Sequence, residues 1–479
     1  MRLQTWLLGA VALSLGGCVV GPDYHPPAAP EGAVQPWRTA DPARETSAES
    51  PDDWWSLYKD PKLDAYVAEA FAANHDLAAA EANLAASRDV LMAARAGRYP
   101  STVATAGGVY GRDPSADALF GALGARNDSI WKFDDLLDVS YELDLFGRVR
   151  RSIEAARADA EATAAARDDL KVTIAAETTR AYVSICVLGE QIAVAEHSQQ
   201  VVNREVDIAV RRKAAGGGSE FDVVRTQVLA SQVRASIPPL RGQRRAALFQ
   251  LGALLGKAPA FAPDEALACV SPPRLDALIP IGDGAGLLRR RPDIREAERR
   301  LASQTARVGV ATADLYPRIT FSGFYGGAAT ELHLLTEERG LAWGVGPSVS
   351  WTFPNQAAPR ARVRASKASA TAALALFDSA VLGGLKETEQ ALAAYGAELD
   401  RRQALEDARA QAHRAFDLAR GQVAAGAVST LDLLTSEQQM VAADAAIANS
   451  DAALLQDEIN LFKALGGGWR SPAAAKTAP

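Results

Sequence analysis

Ala424-Ala425-Gly426-Ala427-Val428-Ser429-Thr430-Leu431-Asp432-Leu433-Leu434 stands where one very long helical pattern stops and another begins. An earlier stretch, Ala214-Ala215-Gly216-Gly217-Gly218-Ser219-Glu220-Phe221-Asp222-Val223-Val224, has the same grammar. A glycine just past a helix can take the left-handed conformation that ends it. The serine can then cap the next helix, and the aspartate three residues later favours that helix's positive start. Each stretch predicts a tight tip between two helices.

Other landmarks recur in the same order. Ser219 and Ser429 lie 210 positions apart, as do Gly256 and Gly466, while Tyr99-Pro100 returns 217 positions later as Tyr316-Pro317 and Asp76-Leu77 as Asp293-Ile294. The chain is therefore read as internally duplicated: a first repeat at 61–257, a linker at 258–285 and a second repeat at 286–466, followed by a tail at 467–479.

Outward from the tips, each repeat opens with a helix, at about Lys62 to Gly97 in the first, closed by Tyr99-Pro100 because the residue before proline is pushed from helical angles. The period then changes. Trp131, Phe133, Leu137, Val139, Tyr141 and Leu143 alternate with Lys132, Asp134, Asp138, Ser140, Glu142 and Asp144, with Asp135 the exception on the apolar side. Val345, Pro347, Val349, Trp351 and Phe353 repeat the pattern, with Pro347 awkward inside a strand. Their partners begin at the prolines, so hairpins are expected at about 100–146 and 317–353, with far loops near 113–130 and 331–340.

Strands of about ten residues can cross a hydrocarbon layer when tilted. In lipid a sheet must close on itself, and four strands are fewer than the roughly eight of the smallest usual barrel. The barrel is thus expected to be shared: three chains would give twelve strands, enough to surround a lumen, and two would give eight, filled by side chains. Behind the hairpins run long helices, 148–215 and 360–425; the first is roughly 100 Å long at about 1.5 Å per residue, longer than any bilayer is thick. Its heptad series Ile174, Thr178, Ala181, Ile185, Leu188, Ile192, Ala195, Gln199, Val202, Val206, Ala209 is a coiled-coil seam, matched by Val381, Leu385, Leu392, Tyr395 and Leu399. Return helices follow each tip, the first expected to break at Pro238-Pro239. The fold class is mainly α with a transmembrane β-barrel, the long helices forming an α-barrel.

The N-terminus reads as an export signal over 1–17: Arg2, an apolar run from Trp6 to Leu15, then Leu15-Gly16-Gly17-Cys18. Residues 18–60 form an arm, proline-rich and irregular up to Pro51, that docks at Trp54-Trp55. The composition of 479 residues, 48% hydrophobic and 23% charged with a formal charge of −7, argues against nucleic acid as the main partner. No apolar run after the signal is expected to suffice for a transmembrane helix. Cys186 and Cys269 carry no sign of a metal site or a disulfide framework. The histidines His25, His75, His197, His333 and His413 lack metal-ligand spacing, and Gly216-Gly217-Gly218 lacks the lysine and preceding strand of a phosphate loop. Neither catalysis nor a cofactor is expected. Arg289-Arg290-Arg291 reads as a solvated helix start with ion-pair partners.

These residues resemble one family, the TolC-like outer membrane efflux proteins, in the lipid-anchored NodT and OprM branch. The resemblance covers nearly the whole chain. It is carried by Cys18 with Val20-Gly21-Pro22-Asp23-Tyr24, by Trp54-Trp55, by Leu288-Arg289-Arg290-Arg291-Pro292-Asp293-Ile294 with Ala297-Glu298, by Tyr316-Pro317, and by Lys463-Ala464-Leu465-Gly466-Gly467-Gly468-Trp469. It implies a homotrimer sharing a twelve-stranded barrel and serving as the outer exit duct of a tripartite pump. The implied partners are a periplasmic membrane-fusion adaptor, an inner membrane RND-type transporter and outer membrane lipid. Cys18 would be the lipid attachment site. Arg212, Gly216, Ser219, Asp222, Gly426, Ser429 and Asp432 would meet the adaptor at the tips. Leu431 matches a leucine that constricts the closed periplasmic end, and Thr435 stands where relatives often carry an acid. The arginine of the first tip, Arg212, is Gln422 in the second, so adaptor docking is better supported at the first.

Two further readings compete. A secretion duct for proteins would use the same architecture, because the inner membrane partner chooses the cargo. A lipid-anchored coiled-coil scaffold without a pore would account for the heptads and Cys18, but not for the paired hairpins.

Overall fold

The computed structural model describes residues 19–112, 129–275, 277–425 and 427–469. The export signal, Cys18, Gly426, most of the first hairpin's far loop and the tail beyond Trp469 lie outside the described residues. In chain order the elements are β1 (Glu45–Thr46), α1 (Pro61–Ala73), α2 (His75–Ala96), β2 (Ser101–Gly111), β3 (Ile130–Leu143), α3 (Arg148–Ala214) and α4 (Glu220–Leu254). After the linker come β4 (Ile279–Pro280), α5 (Gly284–Arg290), α6 (Pro292–Ala313), β5 (Arg318–Ala329), β6 (Leu341–Ser350), α7 (Ala357–Ala424) and α8 (Thr430–Ala464).

Two compact units divide the chain, one holding 1–27, 84–163 and 297–377, the other 28–83, 164–296 and 378–479. The first contains the antiparallel sheet β2-β3-β5-β6. Each hairpin pairs within itself, and β3 joins β5 to link the two, Phe133 opposite Ala329 through Leu143 opposite Ile319. The turn from β3 into α3 is capped by Asp144, whose carboxylate accepts the N–H groups of Val149 and Arg150, each at 2.9 Å, satisfying amides that have no partner inside the helix. The arm is strapped down by side chains: Arg151 pairs with Asp23 at 2.6 Å, and Tyr24 Oη donates to Glu298 at 2.8 Å.

The second unit holds the main core. Trp54, Leu63, Val67, Val183, Ile185, Leu251, Ile459 and Phe462 are buried together, with Trp54 stacked on Phe462 at 4.8 Å between centroids. The arm reaches this core through β1, which pairs in parallel with β4. In α3 the seam positions Ile174, Thr178, Ala181, Ile185, Ile192, Val202 and Ala209 are buried, as coiled-coil packing requires.

Several expectations are corrected. The first helix is two helices: Asn74 stops α1 and caps α2, its Oδ1 accepting Asp76 N and Leu77 N at 2.9 and 3.1 Å while its Nδ2 donates to Leu254 O. α4 runs unbroken through Pro238-Pro239. The carbonyls that lose partners to these prolines belong to Arg234 and Ala235, which are exposed, so water can satisfy them. Cys186 and Cys269 form a disulfide across 83 residues, with Cα atoms 4.8 Å apart. Arg244 completes the clasp by donating to the carbonyls of Ile185, Leu267 and Cys269; local sequence carries no trace of so distant a pairing. The arginine run closes α5, and Arg291 O accepts the Arg295 N–H at the start of α6, so the expected helix start and ion pairs are present; but Arg291 is buried rather than solvated, paired with Asp293 and Glu387 and donating to Ala464 O. Finally, α7 does contain an 18-residue window apolar enough by composition to cross a membrane, with mean hydropathy 1.5. Only 22% of that window is buried.

Candidate functional site

The sheet carries chemistry through its register. Residues directly opposite in neighbouring strands share a face, so the antiparallel pairing lines up Tyr110 with Trp131, Leu137 with Tyr325, Tyr141 with Phe321 and Tyr325 with Trp343. One face thus becomes a continuous band of aromatic and branched side chains. The other presents Lys132, Asp134, Asp138, Ser140, Ser322, Ser348 and Ser350, with Val103, Val109 and Phe324 among them. The apolar face is uncovered in the single chain: Trp343 is 68% and Val345 78% exposed. Water does not tolerate so large an apolar band on a folded protein.

Asp135, the acid on the apolar side, is spent inside the sheet. Its Oδ1 accepts the Gly327 N–H at 2.7 Å, and a Cβ on Gly327 would stand 2.4 Å from that same oxygen. Pro347 sits on β6, the outer strand of the described sheet, opposite Phe321.

The two tips are built alike. At the first, Gly216 has φ +78° and the Gly217 N–H closes back on Arg212 O at 2.9 Å. At the second, Ala427 N–H closes on Gln422 O at the same distance. Ser219 and Asp222 then form a reciprocal capping box, Asp222 N donating to Ser219 Oγ at 3.2 Å and Ser219 N to Asp222 Oδ2 at 3.0 Å; Ser429 and Asp432 repeat it at the same lengths. The amides at each helix start are thereby satisfied locally. Hydrogen bonds from the Ser219 backbone and hydroxyl hold the Asp222 carboxyl below its ordinary value, and those of the Ser429 hydroxyl and backbone do the same for Asp432.

Of the gate candidates, Leu431 is exposed on the first turn of α8, and Thr435 lies one turn on with its hydroxyl donating to Leu431 O at 2.9 Å. Asp432 is committed to its cap. Arg212 lies in the last turn of α3, half-buried beside Glu205 and Thr226. Phe221 is exposed at the start of α4. Sequence reading missed Glu437, which is buried on α8 with neither carboxylate oxygen hydrogen-bonded. The signal was present: Glu437 falls three and four residues after Leu434 and Leu433, on the apolar stripe that continues to Met440 and Val441.

The outer membrane efflux protein profile matches residues 66–257 and 286–467, segments that each contain a strand pair, a long helix, a tip and a return helix. The chain is 29% identical to Nodulation protein T of Rhizobium leguminosarum bv. viciae over 470 residues, covering 97% of this chain and 93% of that protein. It is 29% identical to the outer membrane protein OprJ of Pseudomonas aeruginosa over 467 residues, covering 96% and 95%. Among solved structures, the outer-membrane channel OprN superposes with a TM-score of 0.84 at 34% identity, over 94% of this chain and 100% of that one. The MtrE outer membrane channel of Neisseria gonorrhoeae in its open state gives 0.83 at 26% identity, over 95% and 99%. With both repeats matched and the strand sheet and tips in place, the chain belongs to the outer membrane efflux protein family.

Proposed function

We propose that this protein is the exit duct of a tripartite efflux pump, working as a homotrimer whose sheets close into one twelve-stranded barrel in the outer membrane. The observation that carries the reading is the sheet. Among the described residues neither β2 nor β6 has a second partner strand, and the apolar face is bare. Unpaired strand edges in hydrocarbon leave backbone groups unsatisfied at several kcal/mol each, so the edge of one chain must pair with that of the next. Three four-stranded sheets put the apolar bands toward lipid and the serines and aspartates toward an aqueous lumen. Twelve strands enclose such a lumen, whereas eight would be filled by side chains.

The tips are the surfaces for a periplasmic adaptor, through Arg212, Gly216, Ser219 and Asp222 on one side and Gly426, Ser429 and Asp432 on the other, with an inner membrane transporter supplying cargo. Leu431 lines the closed mouth with Thr435 behind it. Cys18 takes the lipid, which aids sorting and assembly more than retention, since the barrel itself anchors the trimer. The protein performs passage rather than catalysis.

Native mass of the mature protein extracted from outer membranes in mild detergent tests the assembly. A trimer is expected, and a monomer would mean that four strands close no pore.

A further inference from the structure

Four helices meet around Glu437 in a cavity of about 320 Å³, lined by Ile208 and Ala209 of α3, Thr226 of α4, Val423 of α7 and Leu433 and Leu434 of α8. Glu437 is only 1% exposed, and both of its carboxylate oxygens are buried without a hydrogen-bond partner. The charged groups facing the same space are Glu205 and Arg212 from α3 and Arg420 from α7; α4 contributes Thr226, whose hydroxyl donates to Asp222 O at 2.8 Å. Arg420 lies over the Phe416 ring, 5.8 Å from its centroid, and its charge acts on Glu205. An ionised carboxylate with no donor is far costlier to bury than the neutral acid, so this packing favours the protonated form of Glu437.

We propose that Glu437 makes the second tip a proton-controlled latch: neutral, it packs between the four helices, and on losing its proton to solvent it forces them apart to admit water. The regulation concerns the same mouth that Leu431 lines, and it rests on the duct reading only for its electrical readout. Burial first, and then the neighbouring Glu205 charge, push the Glu437 carboxyl up from 4.5 to about 7. In a loosened tip the hydrated carboxyl has its ordinary value. The packed form is therefore fully favoured below 4.5, loses ground as pH climbs from 4.5 to about 7, and loses nothing further above. Each pH step of one across that window weakens the packed form about tenfold, so the ratio of packed to loosened tips falls on the order of 100-fold from end to end.

Hydrogen–deuterium exchange of peptides spanning 411–440, in the full-length protein in detergent from pH 4.5 to 8, tests this against Glu437→Gln and Glu437→Met. Dividing wild-type by variant rates cancels the intrinsic pH dependence of exchange. The ratio is expected to be near one at the acid end and to reach about tenfold or more by pH 8, with Glu437→Met matching Glu437→Gln if the amide itself is harmless. Glu205→Gln should move the midpoint to lower pH by removing the like charge, which a merely structural glutamate would not do. A ratio that stays at one throughout overturns the latch. In planar bilayers, wild-type conductance should rise over the same window while Glu437→Gln stays flat. Absence of any channel at every pH would count against the duct, and the exchange ratio would still decide the latch.

Discussion

Asp135 Oδ1 accepts the backbone N–H of Gly327 at 2.7 Å, so the one carboxylate on the apolar side of β3 serves as a cross-strand tie to β5. That tie joins the hairpin of the first repeat to that of the second. Asp135→Ala would strand a buried donor at a cost of about 1–3 kcal/mol. A lower melting temperature of the detergent-extracted oligomer is expected, with Asp135→Asn retaining most of the stability because its carbonyl still accepts. Equal melting of wild type and Asp135→Ala would show that the tie contributes nothing.

Leu431 is the exposed apolar residue at the start of α8. If it lines a closed mouth, Leu431→Ser should raise single-channel conductance several-fold. Unchanged conductance would remove it from the constriction.

The Cys186–Cys269 disulfide holds the linker to α3. Closing a loop of 83 residues contributes on the order of 2–4 kcal/mol by restricting the unfolded chain. Cys186→Ala with Cys269→Ala should speed proteolysis within 258–285, and thiol titration of the denatured, unreduced protein should find neither cysteine free.

Each tip depends on its capping box. Ser219→Ala removes one of the two reciprocal bonds, for which about 1 kcal/mol is typical, and should speed amide exchange over the first turn of α4. Because the Asp222 and Asp432 carboxyls are held below 3.8, the caps are intact above that ordinary value and are lost as pH falls through the lower folded values. Tip exchange should therefore rise in strong acid in wild type but not in Asp222→Asn with Asp432→Asn, whose caps no longer titrate.

Lipid attachment is expected at Cys18. Cells fed labelled palmitate should label wild type and leave Cys18→Ser unlabelled; label on the variant would place the lipid on another residue.

Much of the architecture is readable because its signals are local. The glycine-serine-aspartate grammar of the tips lies within a few residues, and the capping boxes at Ser219 and Ser429 follow from it directly. Strand alternation around Trp131 and Val345 identifies both hairpins, since a period of two needs only neighbouring positions. Asn74 escapes such a reading because its capping bonds to Asp76 and Leu77 compete with an otherwise continuous helical pattern. Pro238-Pro239 misleads because the cost of a helical proline depends on whether the freed carbonyls meet water.

The duplication, the long helices, the strands and the chemistry of each tip are legible in the order of residues alone, because they depend on backbone preference and on side chains within one or two turns. Folding in three dimensions settled that β3 lies beside β5, that Cys186 meets Cys269, that Arg291 is buried among acids, and that Glu437 is buried with no hydrogen bond to its carboxylate. Those outcomes depend on residues tens to hundreds of positions apart being brought within a few ångströms, and the burial of a charge is a property of everything that surrounds it.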